Sequence, residues 1–296
     1  MFRPAYIKIL PRCRTKAIAF QKQCLHLSSY THQKREAGLS ERTLVSTQNG
    51  IRRITLNSLK KRNALSLMML KELKERLLDC HEDKDVRVVI IDHNGPVFSS
   101  GHDLKELQSN TGSEYHTKIF QTCTEVMNLV QDIDVPVIAE VNGVATAAGC
   151  QLVATCDLAV ASDKSIFAVP GVLIGLFCST PGVALSRAVN RKQALKMLLT
   201  GESISASEAL SAGLINEMVT EDKVAETSQK LAEKIVHHSR PVIAVGKKTF
   251  YQQVKQTRDE AYCLAENVMV ENLKHADSQE GIDAFFTKRK PSWTDE

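Results

Sequence analysis

An α/β fold is what this 296-residue chain predicts, with β-structure in its first two thirds and helices alone in the last. Three observations carry that prediction. Short, nearly continuous apolar runs, VRVVIID (86–92), VPVIAEV (135–141) and DLAVAS (157–162), read as strands buried on both faces, as parallel strands are. Between them lie stretches whose apolar residues recur at helical spacing, and strands alternating with helices make an α/β core. Beyond Ser205 only the helical period remains.

The elements follow in order. LVSTQ (44–48) and IRRITL (51–56) flank Asn49-Gly50, a pair that tolerates the positive φ of a two-residue turn, so they form a hairpin. SLMMLKELKERLLDC (66–80) is an amphipathic helix and VRVVIID a buried strand. A strand ends at Phe98, small residues turn the chain, and LKEL (104–107) begins a helix. A longer helix covers Tyr115 to Gln131. VPVIAEV leads to a second turn of small residues and a helix start, and DLAVAS is followed by the strand SIFAV (165–169). Helices then span 205–215, 224–237 and 241–269. There is no internal sequence repeat, and no apolar run of about 18 residues to cross a membrane.

The first segment stands apart from the fold. Its 35 residues hold eight Lys/Arg and no Asp or Glu. Without them 30 basic residues face 34 acidic ones, so the net charge of +4 becomes −4. A basic, acid-free stretch with Ser, Leu and Phe interspersed has the pattern of a mitochondrial transit peptide, and no apolar core marks it as secretory. The chain thus divides into a leader (1–40), an α/β core (41–205) and a helical region (206–296), with the mitochondrial matrix as destination. The eight cysteines are scattered without a CxxC pair, which suits reduced, buried thiols and offers neither a zinc nor a redox spacing. The negative charge beyond the leader and the lack of aromatic–basic interleaving argue against a nucleic-acid partner.

Two motifs carry chemistry. In PVFSSGHDLKEL, Gly101 permits a tight turn that aims the His102 N–H into a cleft. In VNGVATAAGCQL, Ala147, Ala148 and Gly149 let a ligand approach the backbone closely. Two converging N–H donors would make an oxyanion hole for a thioester oxygen, each worth roughly 10²–10³ in rate. These motifs, with ITLNSLKKRNALS (54–66), LTGESISASEALSAGLINEMV (199–219) and FFTKRKPSW (285–293), resemble the enoyl-CoA hydratase/isomerase (crotonase) superfamily over nearly everything after the leader.

That resemblance implies a spiral of ββα units, a helical C-terminal region that packs into trimers or hexamers, and a coenzyme A thioester as ligand or substrate with no other cofactor. It puts the oxyanion donors on His102 and Ala148. It puts ligand contacts on Ala64, Asp103, Leu104 and Lys105, and a phosphate contact on Lys288; Lys60, Lys61 and Arg62 lie beside the nucleotide. The family's hydratases place one glutamate to activate water and one to move a proton at Cα. Those positions hold Gln151 and Gly171 here. An amide cannot take a proton near neutral pH, and glycine has no side chain. Each lost acid or base costs about 10²–10⁴. Ser179, near a third position used for an acid in some members, is not one either, and Asp163 is the sole carboxylate from 161 to 186.

His102, Glu140 and Cys178 offer no assured replacement, so no residue is assigned catalysis. Three readings follow: an acyl-CoA-binding protein of fatty-acid metabolism that does not hydrate; an active enzyme of decarboxylase, hydrolase or isomerase type using the oxyanion hole; and a structural or RNA-associated partner. On the first reading, installing Gln151→Glu with Gly171→Glu raises hydration from background.

Overall fold

Residues 42–295 are described by the computed structural model, and the expected leader lies outside them. β1 (Thr43–Gln48) and β2 (Ile51–Leu56) form the hairpin, with Gln48 opposite Ile51 and Asn49 and Gly50 at φ 51° and 77°. α1 (Leu67–Glu82) begins at Ser66, whose Oγ accepts from Met69 N at 3.3 Å, and buries Leu70, Leu73 and Leu77 along one face.

The chain then passes three times through strand, strand and helix. The first pass is β3 (Val88–His93), β4 (Val97–Ser99) and α2 (Ser113–Asp132). The second is β5 (Val137–Val141), β6 (Val144–Thr146) and α3 (Ala148–Thr155), and the third β7 (Leu158–Ser162), β8 (Ile166–Ala168) and α4 (Ser179–Ala188). After α5 (Arg191–Thr200), β9 (Ile204–Ser205), α6 (Ala206–Ala212) and β10 (Glu217–Val219) come four helices: α7 (Val224–Val236), α8 (Arg240–Gln253), α9 (Arg258–Asn272) and α10 (Ala276–Phe286). The leading strand of each pass joins a six-stranded sheet of order β1-β2-β3-β5-β7-β10, parallel from β2 onward. The second strand joins a four-stranded sheet, β4-β6-β8-β9, parallel except for β9. One strand to each sheet per turn is the ββα spiral that the resemblance implies.

The central strands of the larger sheet are buried on both faces, which explains their continuous apolar runs. Val88 and Ile90 of β3 meet Val224 and Ala232 of α7, while Val89 and Ile91 face the main core with Phe98, Phe167 and α1. α8 is fastened to the sheet by Lys247, whose Nζ donates to Val130 O (2.8 Å), Val135 O (2.9 Å) and Asp157 Oδ2 (2.7 Å). Tyr251 donates to the other oxygen of Asp157 at 2.8 Å.

Four elements differ from the sequence reading. The larger sheet takes its sixth strand, β10, from beyond position 205. The expected helix over 241–269 is two, because Thr257 and Glu260 form a capping box that starts α9 afresh. LKEL makes a single 3-10 turn, Leu104–Leu107, rather than a longer helix, and a second short turn ends at Gly112, at φ 84°. α4 and α5 are additions, α4 with Pro181 in its first turn and α5 capped by Asn190. Among the described residues no helix is long and apolar enough to cross a membrane.

Candidate functional site

Three neighbouring strands of the smaller sheet, β4, β6 and β8, run parallel, and the turns that leave their C-terminal ends hold His102, Ala148 and Gly171. Ligands of parallel sheets bind at such ends.

The first two turns touch. A Cβ at Gly101 (φ 84°) would lie 2.8 Å from Ala147 Cβ and 3.2 Å from Ala148 N. A Cβ at Gly149 would lie 2.5 Å from Ser99 O, so α3 begins directly against β4. Leu65 holds the first turn twice, its N–H donating to Gly101 O at 2.7 Å and its carbonyl accepting from His102 Nδ1 at 3.1 Å. Ala147, at φ 50° and ψ −119°, takes a turn conformation that glycine ordinarily fills. Strain of about 1–3 kcal/mol at a non-glycine residue persists where the surroundings enforce it, and here the Ala147 N–H donates to Ala168 O at 2.9 Å. Among the described residues neither the His102 nor the Ala148 N–H donates to a protein acceptor. Two unspent donors in adjoining turns, one of them opening a helix, are equipped to hold a developing negative charge.

The wall beside them carries no acid. Gln151, one turn into α3, is only 5% exposed, and its Oε1 is enclosed without a hydrogen-bond partner. Gly171 is closed off by its own loop. A Cβ there would lie 2.5 Å from Leu176 O and 2.7 Å from Cys178 Sγ; Leu176 N donates to Gly171 O (2.9 Å) and Gly171 N to Cys178 Sγ (3.3 Å). Burial raises the Cys178 thiol above its ordinary pKa, against the opposing Gly171 N–H, so the thiol is no ready nucleophile. Ser179 is exposed at the start of α4, and Asp163 lies at the far end of β8. The nearby carboxylates are occupied. Glu106 accepts from Leu67 N at 2.8 Å, and Glu140 holds Arg53 at 2.8 Å and accepts from Ser228 under α7. The expected gain from two added glutamates is thereby corrected, since position 171 has no volume for a side chain unless the loop first moves.

The basic side of the site is partly assembled. Lys61 bonds Asp103 at 2.6 Å, and Asp103 also accepts from Lys105 N at 3.1 Å. Burial works against the Asp103 carboxylate, yet the Lys61 ammonium and these N–H bonds hold its pKa below the usual value. Ala64 is buried, Leu104 is 56% exposed, and Lys60, Arg62 and Lys105 are exposed with no carboxylate partner among the described residues. Lys288 makes no bond to this group. It follows α10, next to Arg289, which pairs with Glu280 and Asp283, and no hydrogen bond or ion pair joins it to 60–64 or 102–105.

Sequence reasoning passed over Asn63. Buried at φ 52°, it donates from Nδ2 to Asn94 O (3.0 Å) and Val97 O (2.8 Å) and accepts from Ser58 N (2.8 Å), fixing the turn that presents Lys61 and Ala64. An asparagine before an apolar helix start was its only signal. The His102 ring packs edge-on against Phe120, their centroids 5.2 Å apart. Leu65 O can only accept, so Nδ1 carries the proton and Nε2 is left with an unpartnered lone pair. Burial pulls the imidazole pKa below 6.5, which keeps the ring neutral.

Comparison with known proteins shows the family. The chain is 58% identical over 257 residues, 86% of each protein, to the rat enoyl-CoA hydratase domain-containing protein 3, mitochondrial. It is 32% identical over 249 residues to the mitochondrial enoyl-CoA hydratase of Pongo abelii, covering 84% of this chain and 85% of that one. The crystal structure of human enoyl coenzyme A hydratase domain-containing protein 3 superposes with a TM-score of 0.84 at 56% identity, over 86% of this chain and all of that one. An enoyl-CoA hydratase structure from Mycobacterium smegmatis gives 0.83 at 44% identity, over 86% and 99%. The enoyl-CoA hydratase/isomerase family model matches residues 46–296. From the first hairpin to its last residue, the chain belongs to the enoyl-CoA hydratase/isomerase family.

Proposed function

We propose that this protein binds an acyl-CoA in the mitochondrial matrix, as part of fatty-acid or lipid metabolism, and does not hydrate it. The observation that carries the reading is the combination at one site of two unspent N–H donors, at His102 and Ala148, with a wall from which both acids are missing. Binding a thioester oxygen needs only the donors, whereas activating water needs a base. Exposed Lys60, Arg62 and Lys105 beside the first turn suit the phosphates of coenzyme A, with Lys288 supplied from another subunit of a trimer or hexamer. The acid-free leader and the mitochondrial names of the relatives support the location. Titration calorimetry with octanoyl-CoA is expected to show binding, and the absorbance of crotonyl-CoA to stay unchanged by the protein. Robust hydration would defeat the reading, and so would failure to bind any CoA ester. A reporter fused to residues 1–40 should enter mitochondria and lose the leader; an uncut cytosolic fusion would overturn the location.

A second reading has one observation in its favour. The neutral His102 ring, at the first turn, carries an enclosed and unpartnered Nε2 that would have to open toward the ligand to act as a base. Release of CO2 from malonyl-CoA, or of free thiol from octanoyl-CoA, that is lost on His102→Gln would establish an active enzyme in place of a binder.

A further inference from the structure

The last described residues turn back to the start of the last helix. Asp277, in the first turn of α10, is 1% exposed. Its Oδ1 accepts from Thr294 N at 2.7 Å and from Thr294 Oγ1 at 2.9 Å, and its Oδ2 accepts from Asp295 N at 3.2 Å. Ser239 supplies one more hydroxyl donor, and among the described residues no ion pair reaches Asp277. Burial works against this carboxylate, yet these donors hold its pKa below the usual value. Farther out, Asp295 ties the tail to two elements of the body. Its carboxylate pairs with Arg87, just ahead of β3, and accepts from Arg240 N at the start of α8 at 2.8 Å. Trp293 Nε1 donates to His237 O, after α7, at 2.7 Å. A Cβ at Gly281 would stand 3.3 Å from the Trp293 ring, so the tail also packs on α10 itself.

α10 has little else to hold it. It buries only Asp277 and Ala284, and among the described residues it packs broadly on no other helix or strand. We propose that residues 293–295 are a latch: they fasten α10 and the turn carrying Lys288 to the body, and they open together with that helix while the spiral stays folded. The catch is the buried carboxylate. All its donors but Ser239 come from the tail, so when the tail leaves, Asp277 stands as an unpaired charge in the interior, which is too costly to persist. Asp277 then turns to water and takes α10 with it. The bolt is the Arg87–Asp295 pair, whose side chains are 21% and 31% exposed. A cavity of about 840 Å³, lined by Lys84, Glu233 and Arg240 as well as this pair, opens beside it, so salt reaches the pair and screens it. Phe285, Phe286 and Lys288 all lie on the stretch that the latch closes, from 277 to 295, and hold a fixed place only while it is shut.

Hydrogen exchange of the full chain, followed by mass spectrometry in peptides covering α10 and β3, reads the opening. In the parent protein α10 is expected to exchange about threefold faster in high salt than in low, with β3 unchanged. Asp295→Asn should bring α10 to the high-salt rate and remove its response to salt. Asp277→Asn, which keeps the shape of the side chain but not the charge that the tail's donors hold, should speed α10 by about tenfold. Asp283→Asn is the control, since its carboxylate meets Arg289 within the same stretch and is mostly exposed; it should leave the rate as it is. An α10 indifferent to salt in the parent would overturn the latch without any substitution being made. So would unchanged exchange in Asp277→Asn, or a loss of protection in β3 that keeps step with α10.

Discussion

At position 171 the volume a side chain would occupy is taken by the Leu176 carbonyl and the Cys178 thiol, both inside 3 Å of where a Cβ would sit. Gly171→Ala is therefore expected to cost about 1–3 kcal/mol by overpacking, and to lower the melting temperature by about 2–4 °C for each of those kcal/mol. Differential scanning fluorimetry measures it, and an unchanged midpoint would mean the loop yields freely. By the same logic the Gln151→Glu, Gly171→Glu pair should stay at background in a crotonyl-CoA assay. His102 gives a second expectation, through pH. Its folded pKa lies below the unfolded 6.5, so the unfolded chain takes up the proton first as pH falls. The stability it confers is complete above about pH 6.5 and drains away below, toward the folded pKa, with buried His93 adding in the same sense. The melting temperature should fall from about pH 7 to 5.5, and His102→Gln should flatten that slope; parallel profiles would refute it. The two turns and the residues at 151 and 171 were legible beforehand, because they lie in local motifs that carry the family resemblance. It could not show that Gly171 is sealed or that Nε2 is free, since both depend on neighbours brought in by folding.

Among the elements, α8 illustrates how much a helix can owe to one side chain. It buries no residue completely, yet Lys247 reaches the Val130 carbonyl near the end of α2, the Val135 carbonyl ahead of β5, and Asp157, while almost hidden from solvent. Burial lowers the Lys247 pKa and Asp157 opposes that, the balance expected of a desolvated but paired cation. Lys247→Ala should cost about 3–5 kcal/mol in urea unfolding, because it strands a buried carboxylate. Lys230→Ala, which removes an exposed pair with Glu226, should cost far less. Similar losses at the two positions would contradict the ranking. Elements legible beforehand were those with a long period or a strong turn: the Asn49-Gly50 hairpin, α1, α2 and the three buried strands. β9 and β10, two and three residues long, carry no period of their own and exist through pairing with β8 and β7.

For the whole molecule, the three strand–strand–helix turns of the spiral share no sequence repeat, because each turn must satisfy only a burial pattern. Their architecture was reached by family likeness rather than by periodicity. The surface raises the remaining question. α8, α9 and α10 expose Phe250, Tyr262, Met269, Val270, Phe285 and Phe286, with Phe285 at 79%. Apolar surface on that scale calls for a partner, and closed symmetry supplies one. Light scattering should give three or six subunits, and Phe285→Glu with Tyr262→Glu should shift the protein toward smaller species. A stable parent monomer at micromolar concentration would count against such a partner surface.

The sealed loop at Gly171 also has a meaning in evolutionary time. A side chain beside an open pocket can be gained by one substitution, but here the Leu176 carbonyl and the Cys178 thiol occupy the space it would take. A glutamate arriving at 171 would meet the Leu176 carbonyl before it met any substrate, and would be selected against as a folding defect. Any side chain at 171 requires changes that move Leu176 and Cys178 first. The loop thus makes three positions interdependent: residue 171 can gain a side chain only after Leu176 and Cys178 have given way.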